Sequence, residues 1–387
     1  MNIGFDAKRA FHNQTGLGHY SRTLIQSLSH SYSANEYFLF NPKPSGLFHF
    51  DQSNVHEVRP HNFPSTIFPA LWRSSWVKSD LKELNIDLYH GLSHEIPVGI
   101  RQTSIPAVVT MHDLIHERYP EQYPAIDVKI YNRKFRYACA NADRIIAISE
   151  QTKKDIIAYY GTDGNMIDVT YQSCNPAFGE AATSERRAMV RRQYQLPKQY
   201  FLYVGSIIGR KNLMNVCKAM FMLRNDFAIP LVVIGDGGKY KQAVKDFVRQ
   251  NNLESRIIFL SDSTAARQSP SFQTGADLPV IYQCAIAMIY PSFFEGFGIP
   301  VLESLLAGLP VITSKLSSMP EVGGDAACYV DPRSAEEIAQ AMIRIATDRD
   351  FATSLETKGR EQAKRFAPAI CAQRVMSVYQ QLTKNHH

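Results

Sequence analysis

The sequence predicts an α/β protein built of two doubly wound, Rossmann-like parallel sheets in tandem, and three observations lead there. At 387 residues the chain exceeds what one ordinary core organises and suits two domains of under two hundred residues each. Short apolar runs bounded by turn residues alternate with longer amphipathic segments, the pattern of parallel strands joined by crossover helices. The scheme then runs through a second time. With 45% hydrophobic and 20% charged residues and no low-complexity run, the whole chain is expected to fold.

Taken in order, the first half has strand patterns at Asn2 to Phe5, Glu36 to Phe40, Leu88 to His90, Ala107 to Met111, Arg144 to Ile148 and Ile167 to Thr170, with helices filling the gaps. A strand then empties into Ser173-Cys-Asn-Pro-Ala-Phe178, and a charged helix is expected from about Ser184, so the first domain is expected to span 1–178. The second domain, 179–366, has strand patterns at Tyr200 to Val204, Leu231 to Ile234, Arg256 to Leu260, Ala287 to Tyr290, Val311 to Thr313 and Cys328 to Val330. After two further helices, the tail 367–387 carries Ile370, Val375, Val378, Tyr379 and Leu382 at helical spacing and is expected to pack back onto the first domain.

Composition excludes several classes of function. The most apolar stretch, Val280 to Tyr290, is far shorter than the roughly 20 residues a membrane-spanning helix needs, and Gln283 breaks it. Met1-Asn-Ile-Gly runs straight into a strand pattern without the layout of a signal peptide, so a cytoplasmic protein is expected, and Asn13-Gln-Thr15 is read as a coincidental glycosylation pattern. The six cysteines lack zinc-type spacing and are expected to be reduced structural thiols. Residues 1–178 hold 17 Lys+Arg and 17 Asp+Glu, whereas 179–387 hold 25 and 19, so the whole +6 excess lies in the second half. That excess suits an anionic ligand or a membrane surface, or is a spread of surface lysines; no basic stripe interleaved with aromatics points to nucleic acid.

Parallel sheets bind ligands at the carboxyl ends of their strands, so the loops there carry the candidate chemistry. Gly205-Ser-Ile-Ile-Gly-Arg210-Lys211-Asn212 leads from a strand into a helix at Leu213. Arg210 can fork to two phosphate oxygens and Lys211 adds a mobile point charge, unless the two are simply a solvated pair. Cations are disfavoured at a helix start, which favours the anion-binding reading. Tyr290-Pro-Ser-Phe-Phe-Glu295-Gly296-Phe297-Gly298-Ile-Pro300 is a strand emptying into a glycine-bracketed loop, followed by a helix that holds Glu303 and stops at Gly308. The amides of Gly296 to Gly298 could meet phosphate oxygens and Glu303 a ribose diol; equally, Glu295 could be a helix-start carboxylate and Glu303 a solvent-facing one.

Glu295-x7-Glu303 with Glu-Gly-Phe-Gly after Tyr-Pro-Ser resembles the family 4 retaining glycosyltransferases, of the group 1 glycosyl transferases and the GT-B fold. The resemblance extends to Phe201-Leu-Tyr-Val-Gly205, Arg210-Lys211-Asn212, Ala307-Gly308-Leu-Pro310, Met319-Pro-Glu321-Val-Gly323 and Tyr329-Val-Asp331-Pro332. In the first half it takes in Thr15-Gly16-Leu-Gly18-His-Tyr20, Thr110-Met-His112-Asp113 and Ala142-Asp143-Arg-Ile-Ile-Ala-Ile-Ser149.

The resemblance implies two domains facing each other across a cleft, the second binding a nucleotide-diphosphate sugar and the first an acceptor. It implies that Arg210 and Lys211 hold the diphosphate, Glu295 the sugar hydroxyls and Glu303 the ribose. It implies that Gly16 and Gly18 form a bend near the diphosphate, and that His112 lies beside the sugar, oriented by Asp113 unless that residue caps a loop. The implied reaction is front-face displacement with retention of configuration, without a bound metal or other cofactor. Asp348-Arg-Asp350, which has the spacing of a metal-holding pair, is read as a helix boundary. A UDP- or GDP-sugar, mannosyl-type donors included, and a glycan or lipid-linked saccharide are the expected substrates, with peripheral association at the inner face of a membrane. The stretch Ser261 to Asp277 is longer than expected beside the base pocket and leaves the donor open. A nucleotide-sugar epimerase of the same fold and a non-catalytic sugar-binding protein are the other readings. A nicotinamide-dependent oxidoreductase is disfavoured because no Gly-x-Gly-x-x-Gly follows the first strand.

Overall fold

A central strand that is covered on both faces is apolar in its middle, and β1 (Asn2–Asp6) buries Ile3 and Phe5 completely. Gly4 between them has no side chain because a Cβ there would sit 3.0 Å from the ring of Phe40 and 3.4 Å from that of Tyr89. In the computed structural model, which describes residues 1–46, 48–225 and 227–384, this strand centres the first of two compact units, formed by Met1–Cys174 and Phe366–His387.

The remaining strands of that unit are β2 (Glu36–Phe40), β3 (Val55–Val58), β4 (Leu88–Gly91), β5 (Ala107–Met111), β6 (Arg144–Ala147) and β7 (Ile167–Val169). All pair in parallel in the order β3-β2-β1-β4-β5-β6-β7. The sequence reading found six of these seven and missed β3. Val55-His-Glu-Val58 sits at the sheet edge with His56 and Glu57 exposed, so it lacks the apolar run that marked the others.

The helix Gly16–Ser31 buries Tyr20, Leu24, Ile25 and Leu28. It packs against the chain's last described helix, Pro368–Lys384, which buries Val375, Met376, Val378, Tyr379 and Leu382. At roughly 1.5–3 kcal/mol for each large apolar side chain withdrawn from water, that face ties the end of the chain firmly to the unit. A polar relay runs through the same contact. Tyr20 Oη lies 3.0 Å from Thr110 Oγ1, His90 Nε2 lies 2.8 Å from the same hydroxyl, and His90 Nδ1 lies 2.5 Å from Tyr379 Oη.

The second unit, Asn175–Arg365, is a six-stranded parallel sheet in the order β10-β9-β8-β11-β12-β13. Its strands are β8 (Phe201–Val204), β9 (Leu231–Ile234), β10 (Ile257–Phe259), β11 (Ala287–Tyr290), β12 (Val311–Ser314) and β13 (Ala327–Val330). Phe201, Tyr203, Leu231, Val233, Ile289 and Ile312 meet helix residues Leu213, Val216, Met220, Ile338 and Met342 in one continuous core. The long stretch before Leu278 is ordered as a turn at Leu260–Asp262 and two short helices, Thr264–Gln268 and Pro270–Gln273, each capped by the serine before it. Asp348 caps the helix Arg349–Lys364 by accepting from the Phe351 amide, which accounts for the Asp-Arg-Asp pattern as a helix start.

Candidate active site

In the second sheet the strand order reverses between β8 and β11, whose onward connections leave in opposite directions. The loops at the carboxyl ends of two such strands part and leave a crevice, the usual ligand position in an open parallel sheet. They are the two loops singled out in the sequence, 205–212 and 291–298.

Close backbone approach builds the floor. Gly205 has φ +147° and Gly235 φ +151°, and a Cβ on Gly235 would lie 1.9 Å from the Gly205 carbonyl oxygen. Arg210 and Lys211 occupy a single tight turn, Gly209–Lys211, ahead of the helix Leu213–Met222. Asn212 follows in the left-handed region at φ +63°, and its amide donates to the carbonyls of Pro291 at 3.0 Å and Pro332 at 2.6 Å. Phe293 N and Ser292 Oγ donate to the Arg210 carbonyl at 2.9 and 3.1 Å, so the two loops are stitched together.

This stitching puts the cation pair beside Glu295. Oε1 of that carboxylate receives Tyr290 Oη at 2.8 Å and Ser292 Oγ at 3.0 Å, with Arg210 Nη1 at 3.0 Å and Lys211 Nζ at 3.8 Å. Arg210 Nη1 also donates to the Phe294 carbonyl. Arg210 is buried, so the solvated-pair alternative is wrong: the arginine lies in the loop junction, not out in water. Burial pushes the Glu295 carboxyl up, but the Lys211 and Arg210 charges and the Tyr290 hydroxyl outweigh it and hold the group below its ordinary value. Glu295 is therefore a fixed anion, seated by backbone contacts with Ser317 and Ser318: Ser317 Oγ donates to its carbonyl at 2.6 Å and Ser318 Oγ at 2.9 Å.

Gly298, at φ +107°, begins the helix Ile299–Ala307, with Pro300 in its first turn and Gly308 at φ +67° closing it. Glu303 lies one turn in, with Tyr282 Oη donating to its Oε2 at 2.7 Å. Burial raises this carboxyl to about 7, against the opposing pull of the Tyr282 hydroxyl and Lys211. The two glutamates thus differ sharply in proton affinity although only eight residues separate them. Phe297, between them in sequence, is buried.

The first unit holds the remaining predicted residues. Gly16 and Gly18 stand in the first turn of a sixteen-residue helix, not in a free bend, because Thr15 already opens that helix. Gly18 is obligatory, since a Cβ would sit 1.8 Å from the Asn13 carbonyl oxygen, whereas a Cβ on Gly16 would meet nothing within 4 Å. Asn13 Oδ1 accepts from Thr15 N and Thr15 Oγ1, both at 2.7 Å, so the glycosylation-like triplet is the turn that starts the helix. His112 is buried at the end of β5, and its Nε2 donates to the Leu92 carbonyl at 2.9 Å. With Nε2 carrying the proton, Nδ1 of the neutral ring is an acceptor. Burial lowers His112 to about 4, with the Leu92 contact opposing and Arg9 assisting. Asp113 Oδ1 accepts from Ile115 N at 3.1 Å and caps the short turn that follows. The Leu92 carbonyl fixes the Nε2 edge of the imidazole.

Sequence reading named the two carboxylates and the cations but not the side chains that hold them. Tyr290, Ser292 and Asn212 stood inside the quoted motifs, yet nothing in their spacing showed which way they turn. Tyr282 comes from the helix Leu278–Cys284 and Ser317 from the loop after β12, so only folding brings them near. At the reversal point of the first sheet, Arg73 pairs with Asp6 at the end of β1 at 2.7 Å and with Glu95 beyond β4 at 3.2 Å, a cluster the sequence did not signal at all. Among the described residues no group of three or more His, Cys, Asp or Glu could hold a metal ion.

A model of the family described as Glycosyltransferase Family 4 matches residues 15–177, and one described as Glycosyl transferases group 1 matches residues 187–362. The chain belongs to the family 4 glycosyltransferases. This glycosyltransferase is 26% identical to the O-antigen chain mannosyltransferase B of Escherichia coli over 99% of its own length and 100% of that protein's. Its GT-B fold is shared with sucrose-phosphate synthase of Thermosynechococcus elongatus (TM-score 0.74, 19% identity, all of both chains). HepE of Anabaena, solved in complex with UDP-glucose, superposes with a TM-score of 0.73 at 15% identity over 98% of this chain and 100% of that one. No described helix is long and apolar enough to cross a membrane.

Proposed function

We propose that this glycosyltransferase moves a hexosyl group, most simply mannosyl, from a UDP- or GDP-sugar to a glycan or lipid-linked saccharide, with retention of configuration and without a metal ion. The observation that carries this reading is the junction of Arg210, Lys211 and Glu295 at the reversal point of the second sheet, one helix start away from Glu303. A diphosphate arriving there would meet two cations already gathered and desolvated, so little reorganisation is needed as charge builds on the leaving group. Glu295, kept ionised by those cations, would accept hydroxyls of the transferred sugar, and Glu303 the ribose diol. Gly296 to Gly298 and Gly205 would let the nucleotide approach backbone, with Gly16 doing so from the first unit and the Nδ1 acceptor of His112 meeting a sugar hydroxyl.

In the reaction the bond from the anomeric carbon to the diphosphate oxygen breaks, and the acceptor oxygen bonds to the same face of that carbon. The acceptor's proton passes to a phosphate oxygen of the departing nucleoside diphosphate, so no protein base is required. Catalysis then comes from orientation and charge stabilisation. The mannosyltransferase name of the E. coli relative supports a mannosyl donor, and the UDP-glucose complex of HepE supports a nucleotide-sugar ligand. A cytoplasmic enzyme working peripherally at the inner face of a membrane goes with a lipid-linked acceptor.

A thermal-shift screen of UDP-, GDP- and ADP-sugars tests the donor, because a ligand at one hundred times its dissociation constant adds about 2.7 kcal/mol. Transfer with the winning donor should persist in EDTA and leave a product with the donor's anomeric configuration. An inverted product, or activity lost in EDTA and restored by manganese, would overturn the corresponding part of the proposal. Turnover of the donor with no acceptor present would favour an epimerase instead.

A further inference from the structure

Beyond β1 and β2 the first unit contains a cavity of about 550 Å³ whose ionisable lining is Lys8, His12, Lys43 and Arg73, with no carboxylate among the lining residues. Its opposite wall is apolar: Ile67, Phe68 and Leu71 line it and stand 60%, 50% and 49% exposed. Phe63, four residues before Ile67, is 81% exposed. Scattered exposed apolar residues need no explanation, but four within nine residues of chain, beside a cationic cavity, do.

The cations are not spent on one another's partners. Arg73 is held by Asp6 and Glu95, whereas among the described residues neither the Lys8 nor the Lys43 ammonium has an ion-pair partner. Lys8 is half-buried; burial, then Arg73 and Arg9, disfavours its charge while Glu95 and Asp6, outside the lining, oppose them, and because the lining itself holds two ammonium groups and no carboxylate it keeps a positive potential. A free sugar would gain nothing from that potential, and a neutral lipid nothing from the lysines.

We infer that this cavity binds an amphiphile with a phosphorylated head, the phosphate or diphosphate lying on Lys8 and Lys43 and the adjoining hydrocarbon on Ile67, Phe68 and Leu71. Lys8 and Lys43 supply charge-assisted hydrogen bonds to the head, and the three apolar side chains give up water-exposed surface to the chain. In the transferase the occupant is the carrier end of a lipid-phosphate-linked saccharide acceptor, and only that assignment rests on the proposed transfer reaction.

The two tryptophans of the sequence, Trp72 and Trp76, stand next to this wall, so intrinsic fluorescence reports on it. The full chain is titrated with farnesyl diphosphate, farnesol and pyrophosphate. Farnesyl diphosphate should perturb the fluorescence with a dissociation constant at least tenfold below those of the other two, each tenfold being about 1.4 kcal/mol. Lys43→Glu, at an exposed residue, should weaken that binding roughly tenfold, as should Phe68→Ser, and added salt should weaken it in the parent chain. Pyrophosphate binding as tightly as the prenyl compound would mean a plain anion site, and farnesol binding as tightly a plain apolar groove. Response to anionic phospholipid vesicles but not to monomeric farnesyl diphosphate would mean a membrane surface. Each of those results, like no response at all, overturns the inference. The donor thermal shift is recorded on the same variants. Amphiphile binding lost with the donor shift intact assigns the effect to this cavity, while a parent chain with no donor shift defeats the transfer reading and leaves the amphiphile result standing.

Discussion

Glu303 has a carboxyl raised to about 7 by burial, and a group so placed makes binding respond to pH near neutrality. Its folded value lies above the ordinary 4.5, so its contribution to stability is fully present below pH 4.5 and is lost as pH rises through about 7. Glu303→Gln should therefore gain stability relative to the parent between pH 5 and 8, read by chemical denaturation; an unchanged difference across that window would contradict the assignment. If the ionised form accepts the ribose diol, donor affinity in the parent should also rise with pH through about 7, and the variant should lose that dependence with a higher donor KM. Arg210→Ala and Lys211→Ala should each weaken donor binding by roughly 30-fold or more, since truncating one partner of a buried charged contact costs about 2–5 kcal/mol and each 1.4 kcal/mol is about tenfold. Of the two, Arg210→Ala should also lower the melting temperature, because it leaves Glu295 short of a buried cation. Normal donor binding in both variants would remove the diphosphate site.

At the level of elements, the two glycines that open the helix Gly16–Ser31 separate folding from ligand approach. Gly18→Ala forces a methyl group onto the Asn13 carbonyl and should destabilise the protein by about 1–3 kcal/mol or more. Gly16→Ala has open space around it and should fold with parent-like stability, so a fall in transfer rate there would come from a blocked ligand. Equal melting temperatures for the two variants would refute the packing argument. Strands were legible where they are interior, as in Ala107–Met111 with every residue buried, because a doubly covered strand is filled mostly by apolar side chains and admits a polar one such as Thr110 only with partners. The edge strand Val55–Val58 escaped because one uncovered edge tolerates His56 and Glu57. The helix holding Glu303 was legible at both ends, since Pro300 and Gly308 are chemical consequences of how helices start and stop.

Across the whole molecule, the first unit buries His90, His94 and His112 in neutral form. Burial, with neighbouring histidines, holds His90 at about 3 and His94 well below its ordinary value, and burial holds His112 at about 4. Groups with lowered values stabilise fully above the unfolded value of 6.5, and that stability is lost as pH falls from there toward 4. Unfolding free energy should climb with pH over that range despite the opposing Glu303, and a flat profile would show that these rings are not buried neutral. Tyr379→Phe should cost about 1–3 kcal/mol by leaving His90 Nδ1 without its hydroxyl. A variant as stable as the parent would show that the relay is not closed.

By itself, the sequence determined the two parallel sheets, the family, and the loops on which chemistry would fall, since strand burial, helix caps and turn glycines are written in local residue type. Tertiary structure alone decided that Arg210 and Lys211 lie against Glu295, that Glu295 is held ionised while Glu303 binds its proton tightly, and that Lys8 and Lys43 share a cavity with exposed apolar side chains. Charge state and contact depend on burial and on neighbours distant in the chain, and the spacing of residues along a sequence carries neither.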